Sequence, residues 1–376
     1  MPDAKRILCG IGGVFAGIIL VSQNGINTRL REDALPSPLV AAAVSFSIGL
    51  ACILLVTMVH SPSCDVRAGA TRLRAAPWYA FGGGFLGCWY VVGAILFTSR
   101  LGFAAFQLLT TLGQLATATI LDWRGFFGLT RSKPSASRVA ALLGLGAGAA
   151  LTLEGIGSGV GGAAPPWEIA LSALASLSCG CVFPLQAALN NVLTRHLGTP
   201  FRAVVVSFFV GSAVLGVCSA AALATDPMPD PGPDAFSVEA WIYTGGAAGA
   251  FVVTANVIGV PRLGAAAYVT LFVASQLCTA LVFDSAGAFG FDEIAASARR
   301  VAGVLLAVFS AALFQAAPSW PQLGRRARGA AADTDAELRA VVLVQPAPHG
   351  RAPSSAKQSA EETGESEDSA PAKRAT

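Results

Sequence analysis

The sequence predicts an all-α, polytopic membrane protein: ten transmembrane helices forming two inverted five-helix repeats (5+5), followed by a disordered C-terminal tail. Three observations predict it: apolar runs long enough to cross a bilayer, residues matched in one register between the two halves, and basic residues gathered at alternate run ends. Of 376 residues, 54% are hydrophobic and 12% charged. A soluble domain carries about 25% charged residues, so an ordinary water-facing surface is excluded.

Crossing about 30 Å of hydrocarbon takes roughly 20 apolar residues at 1.5 Å each. Ten runs of about this length occur, at 7–28, 39–60, 78–98, 101–121, 139–157, 167–191, 202–224, 240–259, 263–283 and 301–317. Lipid offers backbone amides no partner, so each run must be a helix or a barrel strand, and the period-2 alternation of barrel strands is missing. Lys5 and Arg6 ahead of the first run give it the outline of a signal peptide. It contains Gln23, Asn24 and Asn27, however, and has a full-length counterpart later in the chain, so it reads as the first span.

Self-comparison carries most of the information. Gln23-x3-Asn27-x2-Leu30 recurs as Gln186-x3-Asn190-x2-Leu193, an offset of 163. Pro38-x6-Ser45-Phe46-x2-Gly49 recurs as Pro200-x6-Ser207-Phe208-x2-Gly211, an offset of 162 that holds almost to the end. Gly83, Gly84 and Gly87 map to Gly245, Gly246 and Gly249. Gln114, Thr117, Asp122 and Gly125 map to Gln276, Thr279, Asp284 and Gly287. The expected units are therefore 1–160 and 161–317, with 318–376, rich in Ala, Pro, Ser, Glu and Arg, as a disordered cytoplasmic tail.

Five spans per unit is an odd number, so the second unit enters the membrane from the opposite side. Charge tests this separately. On the side of the N-terminus the run ends carry fifteen Lys or Arg, among them Lys5, Arg6, Arg72, Arg74, Arg138 and Arg202; the other side carries five, Arg29, Arg31, Arg100, Arg299 and Arg300. The positive-inside rule then puts both termini in the cytoplasm, with the plasma or inner membrane as the expected location.

Polar residues inside the spans mark candidate function. Gln23 and Asn27 lie one turn apart on one helix face, as do Gln186 and Asn190. Span 4 carries a stripe of Gln107, Thr110, Thr111, Gln114 and Thr117; span 9 keeps Ser275, Gln276 and Thr279 and adds Tyr268 and Thr270. In inverted repeats such stripes face each other near the bilayer midplane, where transporters bind cargo. The candidate substrate-binding set is Gln23, Asn27, Gln114, Gln186, Asn190 and Gln276, in a cavity lined by spans 1, 4, 6 and 9. Its uncharged character favours a neutral or zwitterionic solute. The same amides can also serve only as interhelical hydrogen bonds, worth about 0.6 to 2 kcal/mol each.

Asp122 and Asp284 close spans 4 and 9, where a carboxylate opposes the helix macrodipole. They are candidates for proton coupling, or for hydrated or paired interfacial acids, with Arg124 a possible partner of Asp122. Gly13-x3-Gly17, Gly83-x3-Gly87, Gly144-x3-Gly148 and Gly245-x3-Gly249 read as close-packing motifs, and Pro184 as a kink in span 6. The eight cysteines lack disulfide or zinc-ligand spacing, so no metal and no cofactor is expected. There is no P-loop, HExxH or nucleophile elbow, and the chain is not expected to be an enzyme.

The tandem Gln-x3-Asn-x2-Leu and Pro-x6-Ser-Phe-x2-Gly blocks, the Gly-rich third span and the segment from Gly113-Gln114-Leu115 to Asp122 resemble the YdcZ-like branch of the drug/metabolite transporter superfamily. The resemblance spans roughly residues 7 to 317. It implies a five-plus-five inverted-repeat fold and solute export. The small multidrug exporters of that superfamily carry a Glu in their first span, and this chain has no acid in span 1.

The expected function is secondary export of a small polar or neutral solute by alternating access. A receptor or assembly factor that uses the same fold, its tail recruiting a partner, is the alternative. Expected partners are the lipid bilayer and the solute, with a homodimer open and no nucleic acid.

Overall fold

The computed structural model describes residues 2–35, 37–60, 66–128, 131, 133–153, 165–225 and 239–316. Glu154 and the tail from Pro318 onward lie outside them. No strand occurs among the described residues. The long helices are α1 (Pro2–Arg29), α2 (Pro38–His60), the short α3 (Val66–Arg74), α4 (Gly82–Arg124), α5 (Ala136–Leu153), α6 (Pro166–Leu197), α7 (Pro200–Thr225), α8 (Gly245–Leu263), α9 (Ala265–Ser285) and α10 (Ala298–Ala316).

Among the described residues, nine helices are long and apolar enough to cross a membrane. Sequence reading anticipated ten runs because α4, with the 3-10 turn before it, forms one 47-residue helical stretch covering two of them. That is more than twice the roughly 20 residues one crossing needs. The stretch is interrupted at Gly102, whose φ of 77° and ψ of 166° are not helical. Its counterpart Gly264, between α8 and α9, has φ 85° and ψ 140°. Both values fall where only glycine sits without strain, because any Cβ collides with its own backbone.

Other backbone details recur at the same offset. Phe127 and Phe289 both take positive φ, 56° and 61°, in the short 3-10 turns after α4 and α9. Such angles are outliers for a bulky residue, and their recurrence means that the repeat extends to local geometry. Ser135 and Ser297 accept hydrogen bonds from the backbone N–H groups of Arg138 and Arg300, each at 3.3 Å, and so cap the first turns of α5 and α10.

The packing exchanges elements between the halves. α1 packs on α8 and α9, α4 packs on α6, and α2 pairs with α7 as α5 does with α10. Backbones approach closely where side chains are small. A Cβ on Gly84 would meet the Ser207 carbonyl, one on Gly246 the Ser45 carbonyl, and Gly148 and Gly303 press on each other's carbonyl oxygens. With little hydrophobic force between helices in lipid, such contacts and interhelical hydrogen bonds hold the bundle. Outward faces carry exposed large apolar residues, including Leu55, Met58, Leu143, Phe209, Leu305 and Phe309. That is the surface a bilayer solvates and water does not.

A central polar cavity and two buried ion pairs

A cavity of about 190 Å³ lies between the two halves. Gln23 enters it from α1, Gln107 and Gln114 from the second part of α4, Gln186, Asn190 and Asn191 from α6, and Gln276 from α9. The hydroxyl-bearing Ser45 and Ser207 and the rings of Phe46 and Phe208 complete its sides from α2 and α7. Among the described lining residues there is no Asp, Glu, Lys, Arg or His.

Five of the six candidate binding residues therefore meet at one cavity. Asn27 does not line it. Its buried side chain lies against Gly245, where an added Cβ would collide with Oδ1. Asn190 lies likewise against Gly83, 2.6 Å from where a Cβ would stand. Gln23 Nε2 and Gln186 Nε2 come within 2.9 Å of the Cβ positions of Gly249 and Gly87. Each Gln-x3-Asn pair thus fits a Gly-x3-Gly pair of the other half, whose missing side chains make room for two carboxamides. Two of the four glycine patterns accordingly receive polar side chains in place of a bare helix backbone.

The lining also draws on the elements equivalent to spans 2, 3, 7 and 8, beyond the four anticipated, through Ser45, Gly87, Ser207 and Asn256. Gln276 Nε2 donates to Thr111 Oγ1 at 3.1 Å, joining α9 to α4. Asn24 and the Tyr90 hydroxyl bond each other at 3.3 to 3.4 Å beside the cavity. Asn256 escaped the sequence reading, although a lone carboxamide in an apolar run was signal enough. Asn191 was masked by its neighbour Asn190, and Tyr90 and Phe183 by their resemblance to ordinary packing residues. α6 runs unbroken through Pro184.

Both aspartates lie outside the cavity lining, in ion pairs. Asp284 accepts hydrogen bonds from the backbone N–H groups of Phe103, at 2.6 Å, and Ala104, at 3.0 Å, and pairs with Arg300 at 2.5 Å. The break at Gly102 creates a helix N-terminus there, and a carboxylate satisfies its free N–H groups and the positive end of its dipole. The macrodipole cost expected at the end of α9 is thus offset by a neighbouring helix. Asp122 pairs with Arg138 at 3.0 Å, while Arg124 stacks over the Trp123 ring, 5.3 Å from its centroid. No group of three or more metal-ligating side chains occurs among the described residues.

Comparison with known proteins fits this architecture. No curated protein matches the chain. One solved structure, described as "Crystal structure of protein", is similar with a TM-score of 0.51 at 19% identity, covering 87% of this chain and 99% of that chain. At that identity the likeness concerns the fold alone. Residues 8–151 and 171–313 each match one family model, described as "Putative inner membrane exporter, YdcZ". Two matches in succession fit the duplication read from the residues, and the chain belongs to the YdcZ family of drug/metabolite transporters.

Proposed function

We propose that the chain is a ten-span secondary exporter that moves a small polar or neutral solute by alternating access, its two five-span repeats inserted in opposite senses. The observation that carries this reading is the cavity. Equivalent residues of both halves, Gln23 with Gln186 and Gln114 with Gln276, converge on one uncharged polar space inside an otherwise apolar bundle. Polar groups within a membrane are expensive unless they serve a partner, and here several face a space large enough for a solute.

The ten-span count follows from taking α4 as two crossings that meet at Gly102, as α8 and α9 meet at Gly264. Exposed tryptophans support this: Trp78 and Trp123 bracket the two crossings, while Trp167 and Trp241 open α6 and the segment leading into α8. Tryptophan favours the headgroup level. The basic-residue bias favours cytoplasmic termini. Two repeats related by inversion supply inward-open and outward-open states of similar energy. Asp122 and Asp284 have the roles of frame residues in this reading, because each is ion-paired and neither lines the cavity.

Untargeted comparison of metabolites in cells with and without the chain identifies the cargo, whose flux is then measured in proteoliposomes. Gln114→Ala and Gln276→Ala are expected to abolish flux while folded yield is kept. Unchanged flux in both variants would remove the cavity from the mechanism.

A further inference from the structure

The two halves are not equal at the cavity, and the difference is chemical. Asn191 near the end of α6, Asn256 in α8 and Tyr268 in the first turn of α9 all line the cavity. Their counterparts in the first half are Thr28, Ala94 and Phe106, all essentially fully buried and none lining the cavity. Asn191 Oδ1, Asn256 Oδ1 and Tyr268 Oη are buried atoms without a hydrogen-bond partner. Asn191 is only 7% exposed and Tyr268 only 1%. Thr28, by contrast, bonds the Asn24 carbonyl at 2.8 Å. A buried polar atom left unpaired is costly, so three on side chains lining a cavity call for a ligand.

The unpaired atoms define what that ligand offers. Gln107 Oε1 and Gln276 Oε1 are likewise unpartnered, so four of the five unpaired atoms are carboxamide oxygens that only accept, beside one hydroxyl that does both, and the solute must bring N–H or O–H donors. A carboxylate brings none. A cation brings donors but would be desolvated with no counter-charge among the described lining residues. The walls are aromatic: Tyr90 and Phe183 have ring centroids 4.5 Å apart, and Phe46 and Phe208 5.4 Å apart. Cavities of about 150 Å³ accept a benzene ring, and the 190 Å³ here leaves room for a ring and a small polar group.

We infer that the cavity, taken as the transport site proposed above, binds an uncharged aromatic amide, with the amide held at an asymmetric subsite made by Asn191, Asn256 and Tyr268. Carboxamide side chains match an amide donor for acceptor, and the rings match a flat apolar body. The subsite belongs to one repeat only, so the two faces of the transporter meet the solute unequally.

Benzamide, benzoate and benzamidine have nearly the same shape and differ in charge, which makes them the probes. Titrations of the full chain in detergent, followed by saturation-transfer NMR, are expected to give benzamide about tenfold or more tighter binding than either charged compound. Asn191→Thr, Asn256→Ala and Tyr268→Phe each install the residue that the other repeat already carries. Each is expected to weaken benzamide by about tenfold without lowering the thermal unfolding midpoint appreciably. Charged compounds binding as tightly as benzamide, or none of the three binding, overturns the solute class. Unchanged benzamide affinity in all three folded variants overturns the subsite. Benzamide binding that is intact in a chain without flux defeats the transport reading alone, since binding in detergent does not need transport.

Discussion

At the scale of single residues, the amides and glycines explain each other. Gln and Asn in a lipid-embedded helix need both partners and space, and glycines of the opposite repeat supply the space. Gly245→Ala and Gly83→Ala should therefore lower stability by about 1 to 3 kcal/mol, because a methyl group would displace Asn27 or Asn190. Gly12→Ala, where an added Cβ meets nothing within 4 Å, should be neutral or stabilising by roughly 0.5 to 1 kcal/mol, as the helix propensities of Gly and Ala dictate. Thermal unfolding of the purified variants measures both. The sequence made these residues conspicuous as pairs at spacing four, but not as partners, since contact between Gln23 and Gly249 depends on how the halves dock. For the same reason it could not separate Asn27, packed against glycine, from Gln23, which also faces the cavity.

At the scale of elements, helix ends are tied by charge. Arg300 and Asp284 join the start of α10, the end of α9 and the N-terminus exposed at the break in α4. Their side chains are 3% and 2% exposed, against 14% and 11% for Arg138 and Asp122. Removing one partner of a deeply buried pair costs about 3 to 5 kcal/mol, and less where water reaches it. Arg300→Ala should accordingly lower the unfolding temperature more than Arg138→Ala, in parallel detergent melts. Gly102→Ala should cost roughly 1 to 3 kcal/mol through backbone strain alone, and its Cβ would also stand 2.7 Å from Ile294. The apolar runs were legible as helices because their length and composition leave no other solution in lipid. The joining of two of them into α4 was not, because Arg100-Leu101-Gly102 reads the same as Arg262-Leu263-Gly264, where α8 and α9 are separate helices. The pairing of each aspartate with an arginine sixteen residues on was equally hidden, since it depends on how the following helix folds back.

For the molecule as a whole, the duplication visible in sequence register reappears in backbone angles, caps and packing, and the family model matches each half. The halves depart from each other at the cavity, where Asn256 stands at the position equivalent to Ala94 of the first half, and this departure is where solute recognition is expected. In the proposed arrangement the halves cross the membrane in opposite senses, and cysteine labelling reads that orientation. Lys133 and Ala295 are equivalent, exposed positions just before α5 and α10. In a background lacking the eight native cysteines, a membrane-impermeant maleimide added to intact cells should label Ala295→Cys and spare Lys133→Cys, with the pattern reversed in inside-out vesicles. Labelling of both positions from the same side would mean that the halves share one orientation and would overturn the inverted repeat.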